Sequence, residues 1–192
     1  MNIRQPDEIL DDFRKALELL TRLAQDQGGQ RGPGSQFQRV LFDARMRVHQ
    51  AGMLLDYFRK AELRAGQIGF LNADSDELRL YGEAFYYFAF RACRALESLT
   101  RLEPMLALRF EPEGVRDVRN HLIEHPEKSN GAHVVGWSYA CPEGLILNDP
   151  DAPDAEDEEF IQRDRGLYPN ADEFVAKLLV KLTACPLVNG QQ

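Results

Sequence analysis

The sequence predicts a mainly α fold, a four- to five-helix bundle with a small β-hairpin near the C-terminus. Three observations carry that expectation. Apolar residues recur at helical spacing through several long segments, each bounded by capping or breaking residues. Only one late stretch carries paired short apolar runs around a turn signal. The 192 residues are 44% hydrophobic and 28% charged, which suits one domain with its own core. We therefore expect a single domain over 1–192, with a bundle core over about 7–125 and the hairpin, an acidic loop and a last helix over 132–185.

Each element has its own justification. Over about 7–25, Ile9, Leu10, Phe13, Ala16, Leu17, Leu20 and Leu23 fall on one stripe, and Asp7 and Glu8 suit the dipole at a helix start. From Gln25 to Gln36, four glycines and a proline predict a long flexible connection. Ser35 is a candidate N-cap for a helix over about 36–65. Its inner stripe is Phe37, Val40, Leu41, Ala44, Val48, Ala51, Leu55 and Phe58, and Gly66 is its stop. Asp74 and Glu77 form a capping-box pattern ahead of a third helix over about 75–101. Leu78, Tyr81, Phe85, Phe88, Ala92 and Leu99 keep one face of it, and its aromatics read as core packing.

A fourth helix is expected from Pro112, favoured at a first helical position, to His125, because the residue before Pro126 resists helical geometry. Val115, Val118 and Leu122 share its inner face. HVVGWSYA and GLILN, joined by CPEG, read as the hairpin. The last helix is expected over about Asn170 to Ala184, with Asn170 and Glu173 as its cap, Phe174, Leu178 and Leu182 inward, and Pro186 beyond its end.

Charge and cysteine usage narrow the function classes. Net charge is −8, from 23 Lys and Arg against 31 Asp and Glu. Seven acids fall within 149–159: Asp149, Asp151, Asp154, Glu156, Asp157, Glu158 and Glu159. Outside that loop 24 acids face 23 bases, so a general nucleic-acid binder with a basic excess is not expected. The cations are 18 Arg and 5 Lys, a balance that fits fixed contacts to carboxylate or phosphate. No apolar run approaches the length of a membrane span, and the amino terminus is too acidic and polar for a signal peptide. Cys93, Cys141 and Cys185 form no CxxC pair and read as reduced cytoplasmic thiols.

The densest polar chemistry is GVRDVRNHLIEHPEK, residues 114–128. Five residues separate Arg119 from His125, the first of them Asn120, and four separate Arg116 from His121, the first of them Asp117. These spacings, late in a helical bundle, resemble the HEPN superfamily over roughly residues 7–125. The resemblance implies a metal-independent endoribonuclease or an RNA-binding module of a toxin–antitoxin or defence system. It implies RNA as ligand, an antitoxin or other protein as partner, and a homodimer that joins two copies of the motif. By the same resemblance Arg119 holds phosphate, His125 moves a proton and Asn120 orients a partner, with Arg116 and His121 as the reserve pair. No cofactor is implied.

Two other readings stay open. HLIEH matches an inverted zinc pattern in which His121 and His125 are ligands and Glu124 is a base, with His49 as a further ligand. Against it, Pro126 ends the helix at the second histidine, and His49 sits on a wet flank. The third reading is a non-enzymatic helical interaction protein whose acidic loop is solvated.

Overall fold

The computed structural model describes residues 4–31, 34–68, 75–119, 133–134, 147–148 and 167–188. Among them are five α-helices: α1 (Pro6–Arg31), α2 (Gln36–Ile68), α3 (Ser75–Leu102), α4 (Glu113–Asp117) and α5 (Leu167–Ala184). A 3-10 turn, Pro104–Leu106, follows α3. None of these helices is long and apolar enough to cross a membrane.

α1 starts where Pro6 can take the first helical position, and the Glu8 carboxylate accepts from the Gln5 N–H at 3.2 Å, which satisfies one orphan donor of the first turn. The helix does not break at Gln25. It runs through Gly28 and Gly29 to Arg31. Each glycine costs about 1 kcal/mol relative to alanine, which weakens a nucleated helix without ending it. The end comes ahead of Pro33, whose ring disfavours helical geometry in the residue before it. The long connection expected from the glycines is therefore short, and Gly34 takes its left-handed turn at φ 86°.

Ser35 caps α2 as expected, its Oγ accepting from the Gln38 N–H at 3.2 Å. α2 passes the expected stop at Gly66 and reaches Ile68. α5 begins at Leu167, three residues earlier than expected. Pro169 is tolerated there because a first-turn N–H has no intrahelical partner to lose. Asn170 is thus not a cap. It is fully buried in the first turn, and Glu173 pairs instead with Lys177 at 2.7 Å. At α4, Pro112 is the N-cap and Glu113 the first helical residue.

Pairs between helices set the topology. α1 runs antiparallel to α2: Asp7 meets Arg59 at 2.8 Å, and Phe13 lies against Gly52. α2 runs antiparallel to α3: Arg64 meets Glu77 at 2.7 Å, the Tyr57 and Tyr81 rings lie 5.6 Å apart, and Arg47 sits over Phe88. α5 closes the bundle against α1, and α4 bridges α3 to α5. Phe13 stands at the centre, stacked on Phe174 at 5.7 Å and edge-on to Phe85 at 6.4 Å. The expected stripes of α1, α2 and α3 face this core, although Leu17, Val40, Tyr81 and Phe88 are only partly buried. α3 adds Tyr86, Ala89 and Leu96 to its inner face.

His133–Val134 pairs antiparallel with Leu147–Asn148, His133 opposite Asn148. The turn and the remainder of the expected hairpin lie outside the described residues, as do the acidic loop 149–159 and Cys141. Cys93 and Cys185 are buried free thiols.

Two polar ties fasten α5. The buried Tyr168 phenol donates to Glu62 at 2.6 Å. Burial first, then that carboxylate, pushes its pKa up, so it stays a donor. At the other tie, Arg4 reaches Asp12 at 2.8 Å and Asp172 at 2.9 Å, and Lys15 also meets Asp12 at 2.8 Å. Burial pushes the Asp12 carboxyl up, but the hydrogen bonds and charges of Lys15 and Arg4 outweigh it and hold it below its ordinary 3.8. A carboxyl depressed in the folded state adds stability above its unfolded pKa, and that stability is lost as pH falls through the folded value. The thermal midpoint of the wild type should therefore hold from neutrality to about pH 5 and fall below roughly pH 4. Asp12→Asn should lower the midpoint at neutral pH and flatten the acid limb. A parallel acid limb in that variant would show that Asp12 is not one of the groups responsible.

Candidate functional site

The candidate site is built by the chain's return after α3. Ala107 adopts a left-handed conformation at φ 48°, uncommon for a residue with a Cβ. From there residues 109–112 lie back beside α3, and Arg109, Phe110, Glu111 and Pro112 form one wall of a cleft. Phe90, Cys93, Arg94 and Glu97 of α3 form the other wall, and Val115 and Arg116 of α4 complete it. Its volume is about 70 Å³, far below the roughly 300–1,000 Å³ of a small-molecule pocket. The cleft can hold a small group of a larger ligand, such as a phosphate, but cannot enclose a whole nucleotide.

Two close approaches position α4 over this cleft. A Cβ on Gly114 would come within 2.0 Å of the Asn170 Oδ1, so only glycine lets α4 settle on α5 here. The Asn170 amide donates to the Tyr86 hydroxyl at 3.0 Å, which ties the same point to α3. Lys177 donates to the Glu111 carbonyl at 3.1 Å and to the Glu173 carboxylate at 2.7 Å, which holds the loop to α5. After Asp117, Val118 and Arg119 continue in wider π geometry, a local form frequent at functional sites.

The electrostatics are those of arginines sharing few acids. Glu97 holds Arg94 at 2.6 Å and Arg101 at 2.8 Å, with Arg109 at 3.9 Å. Burial pushes the Glu97 carboxyl up, but Arg101, Arg94 and Arg109 outweigh it and keep it ionised. Arg116 meets Glu111 at 3.3 Å. Three arginines and two glutamates thus line the cleft. Burial pushes the Cys93 thiol up to about 12, so it is not a nucleophile near neutral pH.

Of the residues singled out by the motif, Arg116 lines the cleft and Arg119 lies at its edge. The Arg119 guanidinium carbon sits 4.2 Å over the Phe90 ring. Asn120, His121, Glu124 and His125 lie outside the described residues, as does the helix end expected at His125. His49 is exposed on α2. No group of three His, Cys, Asp or Glu among the described residues is placed to hold a metal ion.

Motif reasoning missed Phe90, Arg94, Glu97, Arg109 and Phe110. The Arg94, Glu97, Arg101 spacing was the available signal, because i,i+3 and i,i+4 pairs mark one charged stripe of a helix. Neither a protein family, nor a curated protein, nor a solved structure matches this chain.

Proposed function

We propose that this protein is an HEPN-like bundle that binds RNA at the α4 arginines and cleaves it without a metal. The observation that carries the reading is that, of the two arginines that open the arginine-to-histidine spacings, Arg116 lines the arginine-rich cleft and Arg119 packs on Phe90 of its wall. A guanidinium stacked on a ring keeps its N–H fork in a fixed plane, the geometry that suits bidentate contact with phosphate. In this reading Arg119 binds the scissile phosphate and stabilises charge developing on it. His125 exchanges the proton of the 2′-hydroxyl or of the leaving oxygen, and Asn120 orients a partner group. Separate acid and base roles want two proton-transfer groups, and an isologous dimer doubles the single pair each chain supplies. The protein in this reading is a cytoplasmic homodimer held in check by an antitoxin or other protein partner.

The test is incubation of purified protein with labelled single-stranded RNA, with and without EDTA. Cleavage should persist in EDTA and leave 2′,3′-cyclic phosphate ends. Arg119→Ala and His125→Ala should each slow it by about 100-fold or more, with the helical content seen by circular dichroism and the dimer seen by light scattering unchanged. Loss of activity in EDTA, or full activity in both variants, overturns the assignment.

A second reading is favoured by one specific observation. Glu97 and Glu111 already engage Arg94, Arg101, Arg109 and Arg116, which fits a purely structural role in a helical interaction protein. Absence of RNA binding at low salt, where phosphate contacts are strongest, would select that reading.

A further inference from the structure

We propose that the groove between the start of α2 and the second half of α3 is a phosphate-backbone subsite that extends the RNA path from the α4 cleft. The inference rests on the RNA reading above and names the form of its ligand: a single strand contacted at several phosphates.

The groove has a volume of about 320 Å³ and is lined by Arg39 and Asp43 of α2 and by Arg91, Arg94 and Ser98 of α3. Most of the described arginines have a carboxylate close by, as Arg47 has Asp43, Arg59 has Asp7 and Arg64 has Glu77. Arg39 and Arg91 are both exposed, and among the described residues neither has an ion pair or a side-chain hydrogen bond. They line the same groove. Its carboxylate, Asp43, is engaged by Arg47 at 3.0 Å. Arg39 also stands in the first turn of α2, which holds no acidic residue, so the helix dipole adds to its charge instead of offsetting it. The result is a local cationic site on a chain of net charge −8.

Its position gives the ligand a direction. Arg94 lines both this groove and the α4 cleft, so the two share a wall along α3. Guanidinium groups spaced along an open surface suit a repeating anion. A nucleic-acid strand carries a phosphate at every residue and so can meet Arg39 and Arg91 together, whereas a peptide would need acidic residues at matching positions.

Binding is measured by fluorescence anisotropy with a labelled 2′-O-methyl oligouridylate, which keeps the phosphates and lacks the nucleophilic hydroxyl, across a salt series. Arg39→Ala with Arg91→Ala should weaken binding about tenfold and reduce the slope of log K against log salt by about 1.4, two single-strand phosphate contacts. Arg39→Lys with Arg91→Lys should recover most of the slope. The thermal midpoint should not move, since both side chains are exposed and unpaired. Unchanged affinity and slope in the alanine pair, with wild-type RNA cleavage intact, overturns the subsite alone. Inorganic phosphate competing as strongly, per phosphate, as the oligomer would mark a single-anion site and also overturns it. Binding that depends on Arg39 and Arg91 without any cleavage of unmodified RNA upholds the subsite and removes the ribonuclease activity. No binding by the wild type removes the RNA reading and the subsite with it.

Discussion

Phe13→Ala should remove about 3–5 kcal/mol of stability, a fall of about 6–20 °C in the thermal midpoint for a chain of this size. The magnitude follows from where the ring sits. It is buried, stacked on Phe174 of α5, edge-on to Phe85 of α3 and pressed against Gly52 of α2. One truncation therefore opens a cavity bordered by four helices, and rigid helices collapse poorly into such a space. Phe42→Ala is the control: that ring is 58% exposed, and its loss should change stability by no more than about 0.5 kcal/mol. Similar losses in the two variants, measured by denaturant titration, would mean that the helices do not meet at Phe13.

Gly114→Ala should cost about 2–4 kcal/mol by a different route. The new methyl would arrive 2.0 Å from the Asn170 Oδ1. Asn170 cannot swing aside cheaply, because its amide is buried and bonded to Tyr86. Either α4 shifts, which costs packing, or the buried hydrogen bond breaks, which leaves polar atoms without water. Gly114→Ala with Asn170→Ala removes the obstruction, so the double variant should be more stable than the two single losses added together imply. Strict additivity would show that the two residues do not touch. Because Arg116 is two residues further along α4, the single variant should also disturb RNA binding.

The long helices were legible because their burial is periodic. Phe37, Leu41, Ala44, Val48, Ala51, Leu55 and Phe58 announce the inner face of α2, and all are buried. Their ends were less so. Gly28 and Gly29 carry breaker chemistry, yet propagation of an established helix outweighed it in α1. Asn170 has the composition of a cap, but its partner is Tyr86, 84 residues away in the chain, and no local pattern encodes such a contact. The site was half legible for the same reason. Arg116 and Arg119 stood out through the motif, whereas Phe90, Arg109 and Phe110 reach the cleft only through tertiary packing and the left-handed turn at Ala107. Hydrophobic spacing reports which way a side chain faces the core and says nothing of which polar groups meet at its edge.

The late arrival of α5 has a consequence during synthesis. α3 ends at Leu102 and α5 begins at Leu167, 65 residues later. At about 5–20 residues per second, the ribosome needs roughly 3–13 s to span that interval. Throughout it α1, α2 and α3 can pair, but the side of Phe13 that Phe174 will cover and the Tyr86 hydroxyl that Asn170 will meet are bare. A nascent three-helix unit with an uncovered aromatic face is a substrate for holdase chaperones and prone to self-association. Release of a chain stalled or truncated ahead of residue 167 should therefore yield aggregates instead of a smaller folded protein, and codon changes that slow translation between residues 102 and 167 should lower the soluble yield without altering a single amino acid.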